Sequence, residues 1–186
     1  MADAPVVHEF FMWEALQEAR LALQSAEVPV GAVVVVDDII VGRGHNQRQT
    51  LPDPTAHAEM LALRQAAQHL GQWQLTAATL YVTLEPCIMC LGAAVLSRIR
   101  CLVFGCMDPK AGACGSQFDI LGMRRLNHTF AVIGGVCEDE ASALLTGFFQ
   151  ALRRRGGRAA EGNRLLSGLA PKSATRVRIP PSPLPE

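Results

Sequence analysis

The chain has 186 residues, 49% of them hydrophobic, with 17 basic and 17 acidic side chains and a formal net charge of zero. That length and apolar share suit one domain with a sizeable core, and no run reaches the 18 or more apolar residues of a membrane span. The neutral total conceals an uneven spread: residues 151–186 hold eight Lys and Arg against Glu161 and Glu186, which leaves the body acidic and the C-terminal end basic.

Helical spacing of Phe11, Ala15, Ala19 and Ala22 predicts a first helix over His8–Ser25. Gly31–Val36 is an apolar, β-branched strand, and Asp37-Asp38 turns it into a second strand at Ile39–Gly42. A polar loop, Asn46–Pro54, follows. Asp53-Pro54-Thr55 reads as a helix start, and His57–Leu70 as the helix, with Met60, Leu61, Arg64 and Ala67 along it. Thr79–Thr83 is a strand, Cys87–Leu96 a helix, Cys101–Phe104 and Ala131–Ile133 strands, and Glu138–Arg154 a closing helix. Helices alternating with short apolar strands imply an α/β domain of three layers, α/β/α, around a central sheet. The expected domain is 1–156. The basic, proline-rich segment 157–186, with Pro180-Pro181-Ser182-Pro183, is expected to be a disordered tail. Its charge is compatible with a solubilising role or with a grip on nucleic acid.

Two short pieces carry chemistry: His57-Ala58-Glu59 and Pro86-Cys87-Ile88-Met89-Cys90. An imidazole and two thiolates are ligands that zinc favours, and three protein ligands leave a fourth tetrahedral position for water, as in catalytic sites. Cys87 and Cys90 are three apart and share a helix face. Pro86 suits a helix start, and the positive end of that helix favours thiolates. Glu59 lies two positions beyond His57, so both can face one ion only at the mouth of the helix. There a carboxylate can take a proton from zinc-activated water and pass it to a leaving group. Other readings stay open on these residues alone: a solvated first-turn Glu59, a redox CxxC pair, or a closed structural zinc site completed by Cys101, Cys106, Cys114, Cys137, His45 or His128. Met1-Ala2-Asp3-Ala4-Pro5 has no basic and apolar regions of a signal peptide, so six cysteines suggest a reducing, cytoplasmic setting, with four of them free.

The His-x-Glu and Pro-Cys-x-x-Cys pieces together are the signature of the zinc nucleobase deaminases. The chain resembles the bacterial tRNA adenosine deaminases of that superfamily from about His8 to about Arg155. The resemblance includes Val28-Pro29-Val30-Gly31-Ala32-Val33, Asn46, Asp53-Pro54-Thr55-Ala56-His57-Ala58-Glu59 and Leu80-Tyr81-Val82-Thr83-Leu84-Glu85-Pro86-Cys87. It continues through Val103-Phe104-Gly105, Asp108, Lys110, Gly112, Gly115-Ser116, Asn127-His128 and Phe148-Phe149. It implies a cytidine-deaminase-like fold with a central mixed β-sheet, and one Zn2+ per subunit on His57, Cys87 and Cys90. It further implies Glu59 as the proton carrier, the Cys87 backbone N–H as an oxyanion donor, and a homodimer. The substrate implied is the anticodon stem-loop of a tRNA, whose wobble adenosine would be hydrolysed to inosine with release of ammonia. Asn46, Asp108, Lys110, Asn127, Phe149 and Arg153 match the family's RNA-contacting positions. Met107, Ala111 and Leu152 depart from residues common in relatives, and each departure stands to remove one backbone contact. Cys106 and Cys114, flanking this loop, are expected to be the more exposed and oxidisable thiols. The alternatives are a deaminase of a free base such as cytosine or guanine, and a non-enzymatic RNA-binding module with structural zinc.

Overall fold

A computed structural model describes the chain at residues 4–123 and 126–164, with side-chain surroundings for 7–123 and 126–155. Of the residues 157–186 expected to form a disordered tail, 157–164 continue the closing helix, which runs to Arg164 and not to Arg154, and 165–186 lie outside the described residues. The chain divides into two compact units, Met1–Gln150 and Ala151–Glu186, and the architecture below is that of the first.

The elements in order are α1 (Ala4–Gln24), β1 (Gly31–Val36), β2 (Ile39–His45), α2 (Ala58–Leu70), β3 (Thr79–Leu84), α3 (Ile88–Leu96), β4 (Cys101–Cys106), β5 (Ala131–Ile133) and α4 (Glu138–Arg164). They build one five-stranded sheet in the order β2-β1-β3-β4-β5. β1 is antiparallel to β2 and to β3, whereas β3, β4 and β5 run parallel. The sheet is mixed, as expected. Asp37 and Asp38 form the β1–β2 turn with φ of 48° and 59°. A two-residue hairpin turn with both φ values positive matches the twist of its strands, and Asp tolerates that region better than most residues.

The period-two alternation of the strands divides the core. Ala32, Val34, Leu80, Val82, Leu102 and Phe104 point to one face and meet Ala58, Ala62 and Ala66 of α2 and Leu91 and Ala94 of α3. Val33, Val35, Tyr81 and Val103 point to the other and meet Phe11, Met12 and Ala15 of α1. Ala141 of α4 joins Leu16 and Cys106. These are the three layers, α2/α3, sheet and α1/α4. Among the described residues no helix is long and apolar enough to cross a membrane.

Four details depart from the sequence reading. β2 extends past Gly42 to His45, because Gly42 and Gly44 are where α2 approaches most closely. A Cβ on Gly44 would lie 2.5 Å from the Ala58 carbonyl oxygen and 2.7 Å from the Ala62 nitrogen. The buried stripe of α2 is Ala58, Glu59, Ala62, Leu63 and Ala66, not the Met60–Leu61–Arg64–Ala67 line, since only small side chains fit so close a contact. Asp53 does not start α2. Its Oδ1 accepts the N–H and hydroxyl of Thr55, both at 2.7 Å, closing a local turn, and the helix begins at Ala58. Cys106 is buried within β4, its thiol donating to the Thr83 carbonyl at 3.6 Å.

Gly44→Ala therefore destabilises the domain by about 1–3 kcal/mol through overpacking. Urea denaturation measures the loss, and a change below half a kilocalorie would mean that α2 is free to move away from β2.

Candidate functional site

His57, Glu59, Cys87 and Cys90 gather at one edge of the sheet. The parallel strands β3 and β4 end there, and their C-terminal extensions supply Glu85-Pro86-Cys87 and the loop 107–116. Crevices outside the carboxyl ends of parallel strands are the usual ligand sites of open α/β sheets. The antiparallel hairpin brings its open end to the same edge, since Gly31 pairs with His45.

Two helix starts meet at this edge. His57 is the N-cap of α2, with extended backbone (φ −79°, ψ 154°), and Cys87 is the N-cap of α3 (φ −74°, ψ 172°). The extended cap turns the His57 ring back across the helix mouth while Glu59, in the first turn, faces inward. His57 and Glu59 can therefore share one site although they are two residues apart. The His57 Nδ1 atom lies 3.8 Å from Cys87 Sγ and 3.5 Å from Cys90 Sγ. All three potential ligand atoms are within 4.8 Å of one another. A tetrahedral zinc with ordinary bond lengths of about 2.0–2.3 Å separates N and S ligands by about 3.6 Å, so the trio fits the ion. Among the described residues no fourth His, Cys or carboxylate joins this cluster.

The electrostatics follow from burial. Glu59 is 4% exposed, and desolvation pushes its carboxyl above the ordinary range, with a partial offset from its own backbone hydrogen bond and from His57. The hydrogen bond from the Cys90 thiol holds Cys87 down to about 3, and the same contact together with burial pushes Cys90 up. The Cys87 contact raises His57. A divalent cation between the two sulfurs would take the place of the thiol proton.

Asn46 has a role that its position in a polar loop does not suggest. Its Oδ1 accepts the Ala58 N–H at 3.0 Å, and its Nδ2 donates to the Val28 carbonyl at 3.2 Å. His57, the N-cap, makes no side-chain cap bond of its own. Asn46 therefore satisfies an orphan N–H of α2 from 12 residues upstream, on the residue between His57 and Glu59. Beside it, a cavity of about 330 Å³ is lined by Glu27, Val28, Asn46, Arg48, Gln49, Pro52, Asp53 and Pro54.

Asp108 and Lys110 share the loop after β4. Asp108 Oδ1 accepts the backbone N–H of Lys110 at 2.9 Å and of Ala111 at 3.2 Å, which forms a tight turn with Lys110 exposed. Asn127 is exposed in the segment before β5, and Phe149 is 40% exposed on α4. Neither is hydrogen-bonded or packed to the His57 cluster. Arg153 is exposed in the second unit. Cys106 and Cys114 are poor nucleophiles: burial pushes them up to about 11 and about 12. The expectation that they are the oxidisable thiols does not fit these surroundings.

Glu85 escaped the sequence reading as a functional position. It is 2% exposed and accepts the N–H groups of Asp108, Cys114 and Ser116 and the Ser116 hydroxyl. Burial alone would raise its carboxyl, but these donors outweigh it and hold the group below its usual value. The available signal was a charged residue ending an otherwise apolar strand.

A buried acid beside a His-Cys-Cys trio on two helix mouths, under a mixed five-stranded sheet, is the layout of a deaminase. Residues 7–153 match the family described as MafB19-like deaminase. The chain is 48% identical over 147 residues to a tRNA-specific adenosine deaminase of Bacillus subtilis, covering 79% of this chain and 91% of that one. A solved structure from studies of A-to-I editing by tRNA:A34 deaminases at the wobble position superposes with a TM-score of 0.71 at 44% identity, over 73% of this chain and 99% of that chain. A guanine deaminase from Nitrosomonas europaea superposes at 0.63 with 29% identity, over 75% and 83%. The chain belongs to the deaminase family that includes the bacterial tRNA-specific adenosine deaminases.

Asn46→Ala should destabilise the domain by about 1–2 kcal/mol, the cost of an uncapped helix start. Asn46→Asp keeps the acceptor and should lose less. Equal losses in denaturation midpoints would show that the Val28 bond, not the cap, matters.

Proposed function

We propose that this protein is a zinc-dependent tRNA adenosine deaminase that converts a wobble adenosine of an anticodon loop to inosine, releasing ammonia. The observation that carries the reading is the convergence of His57, Cys87, Cys90 and buried Glu59 at one sheet edge, in a chain 48% identical to a tRNA-specific adenosine deaminase.

His57, Cys87 and Cys90 hold one zinc ion per subunit. When bound, it supplies Lewis acidity that brings the pKa of a water from about 15.7 to about 7. Glu59 would take one proton from the attacking water and deliver it to the ring nitrogen of adenine; as the bond from C6 to the amine breaks, it would carry the second proton, from the hydroxyl now on C6, to that amine, which leaves as ammonia. Its raised affinity for a proton suits a group that must both accept and donate near neutral pH. The Cys87 N–H, at the start of α3 where helix N–H groups lack intrahelical partners, faces the oxygen on which charge develops. An anticodon loop offers bases that can be splayed out at modest cost.

Asp108, Lys110, Asn127 and Phe149 are the RNA-facing residues of the first unit, with Lys110 toward phosphates and Phe149 as a stacking platform, and Arg153 of the second unit is by itself a phosphate contact. Asn46 acts on substrate through the geometry of the α2 mouth. Ile88 and Leu96, 48% and 66% exposed on α3, favour a homodimer in which a second subunit covers that helix. The setting proposed is the cytoplasm, where the substrate is made. The guanine deaminase relative keeps a second reading in view, turnover of a free base.

Both readings separate in one assay. Purified protein should form inosine in an anticodon stem-loop at a rate that falls steeply between low and high salt, because phosphate contacts release counterions. Turnover of free guanine or cytosine with none on RNA would reject the tRNA reading. Glu59→Ala should lower turnover by at least about a thousandfold with zinc retained, whereas His57→Ala should lose the metal, both read by metal analysis beside the assay.

A further inference from the structure

Resting on the tRNA reading above, we propose that Glu85 is a positioning residue for RNA: its buried carboxylate pins both ends of the loop 108–116 to the segment that carries Cys87. Glu85 Oε2 accepts the Asp108 N–H at 3.0 Å and the Ser116 hydroxyl, and Oε1 accepts the N–H of Cys114 at 2.8 Å and of Ser116 at 3.2 Å. One side chain thus closes a loop of nine residues at its entry and its exit. The middle of the loop is held to the same segment by backbone. Ala113 N–H donates to the Pro86 carbonyl at 2.9 Å, and Cys87 pairs with Gly112 as an isolated bridge. Room for this grip requires glycine at 112, where a Cβ would stand 2.2 Å from Glu85 Oε2.

The geometry assigns the consequence. What the loop exposes is Pro109 and Lys110, in a turn shaped by Asp108 Oδ1 and tied by Gln117 Nε2, which donates to the Pro109 carbonyl at 2.6 Å. The exposed, RNA-facing part of the loop therefore inherits its position from a residue two places before a metal ligand. Only a carboxylate serves here. Four donors converge on two oxygens, and a Gln amide would aim N–H groups at donors on one side whichever way it turned. Loss of the grip should loosen RNA recognition while leaving the chemical step, which depends on Glu59 and the His-Cys-Cys trio.

The test is Glu85→Gln in the full chain, with metal content, backbone amide exchange and steady-state kinetics on an anticodon stem-loop. The expected result is one zinc per chain, amide exchange in 108–116 faster by at least about tenfold, KM up by roughly tenfold and kcat within about threefold. Unchanged exchange, or a fall in kcat or zinc at constant KM, would overturn the proposal. Should Glu85→Gln fail to fold, Gly112→Ala keeps the carboxylate but places a methyl group on Oε2, and the same pattern is required of it. A wild-type protein that makes no inosine would remove the tRNA reading, and the exchange measurement would then decide the pinning by itself.

Discussion

The near-contact of α2 with β2 is the constraint on which the site depends. Gly42 and Gly44 on the strand face Ala58, Ala62 and Ala66 on the helix, and no larger side chain fits between them. This closeness places the first turn of α2 at the rim of the sheet, within reach of the segment leaving β3. A His at the cap and a Glu inside the first turn then face the same space as two thiols on the neighbouring helix. The metal-binding geometry is thus a product of packing before it is one of coordination.

The same closeness makes Glu59 unusual. A carboxyl that is 4% exposed and stands near two sulfurs is held toward its neutral form. Helix mouths temper this, because α2 and α3 both direct N–H groups and a positive dipole end at the cleft. The site is therefore built to tolerate negative charge in half-buried surroundings. That is the requirement for holding thiolates, a carboxylate and a developing oxygen charge in one small volume.

The parts of this arrangement that sit in short spans were legible in the sequence. His57, Glu59, Cys87 and Cys90 lie at helix starts signalled by their own neighbours, and the strands announced themselves by β-branched runs such as Gly31–Val36. Features that depend on distant partners were not. Asn46 looks like a turn residue until the Ala58 N–H is placed beside it. Glu85 looks like the end of a strand until the loop after β4 returns to it. The buried stripe on α2 was not picked out because Ala is a weak hydrophobic signal, and Gly42 seemed to end β2 because the partner that demands a glycine lies outside the strand. Cys106 looked like a loop thiol because β4 was drawn two residues short.

The Asp37-Asp38 turn has a practical meaning. It caps the β1–β2 hairpin at the end opposite the Gly31–His45 pair, and six residues of strand separate it from the cleft by roughly 20 Å. Its left-handed backbone is stabilised locally and its side chains are solvated. The enzyme thus has an inert handle, a place where a peptide tag or a fused partner could be spliced into the chain without reaching the chemistry at the far rim.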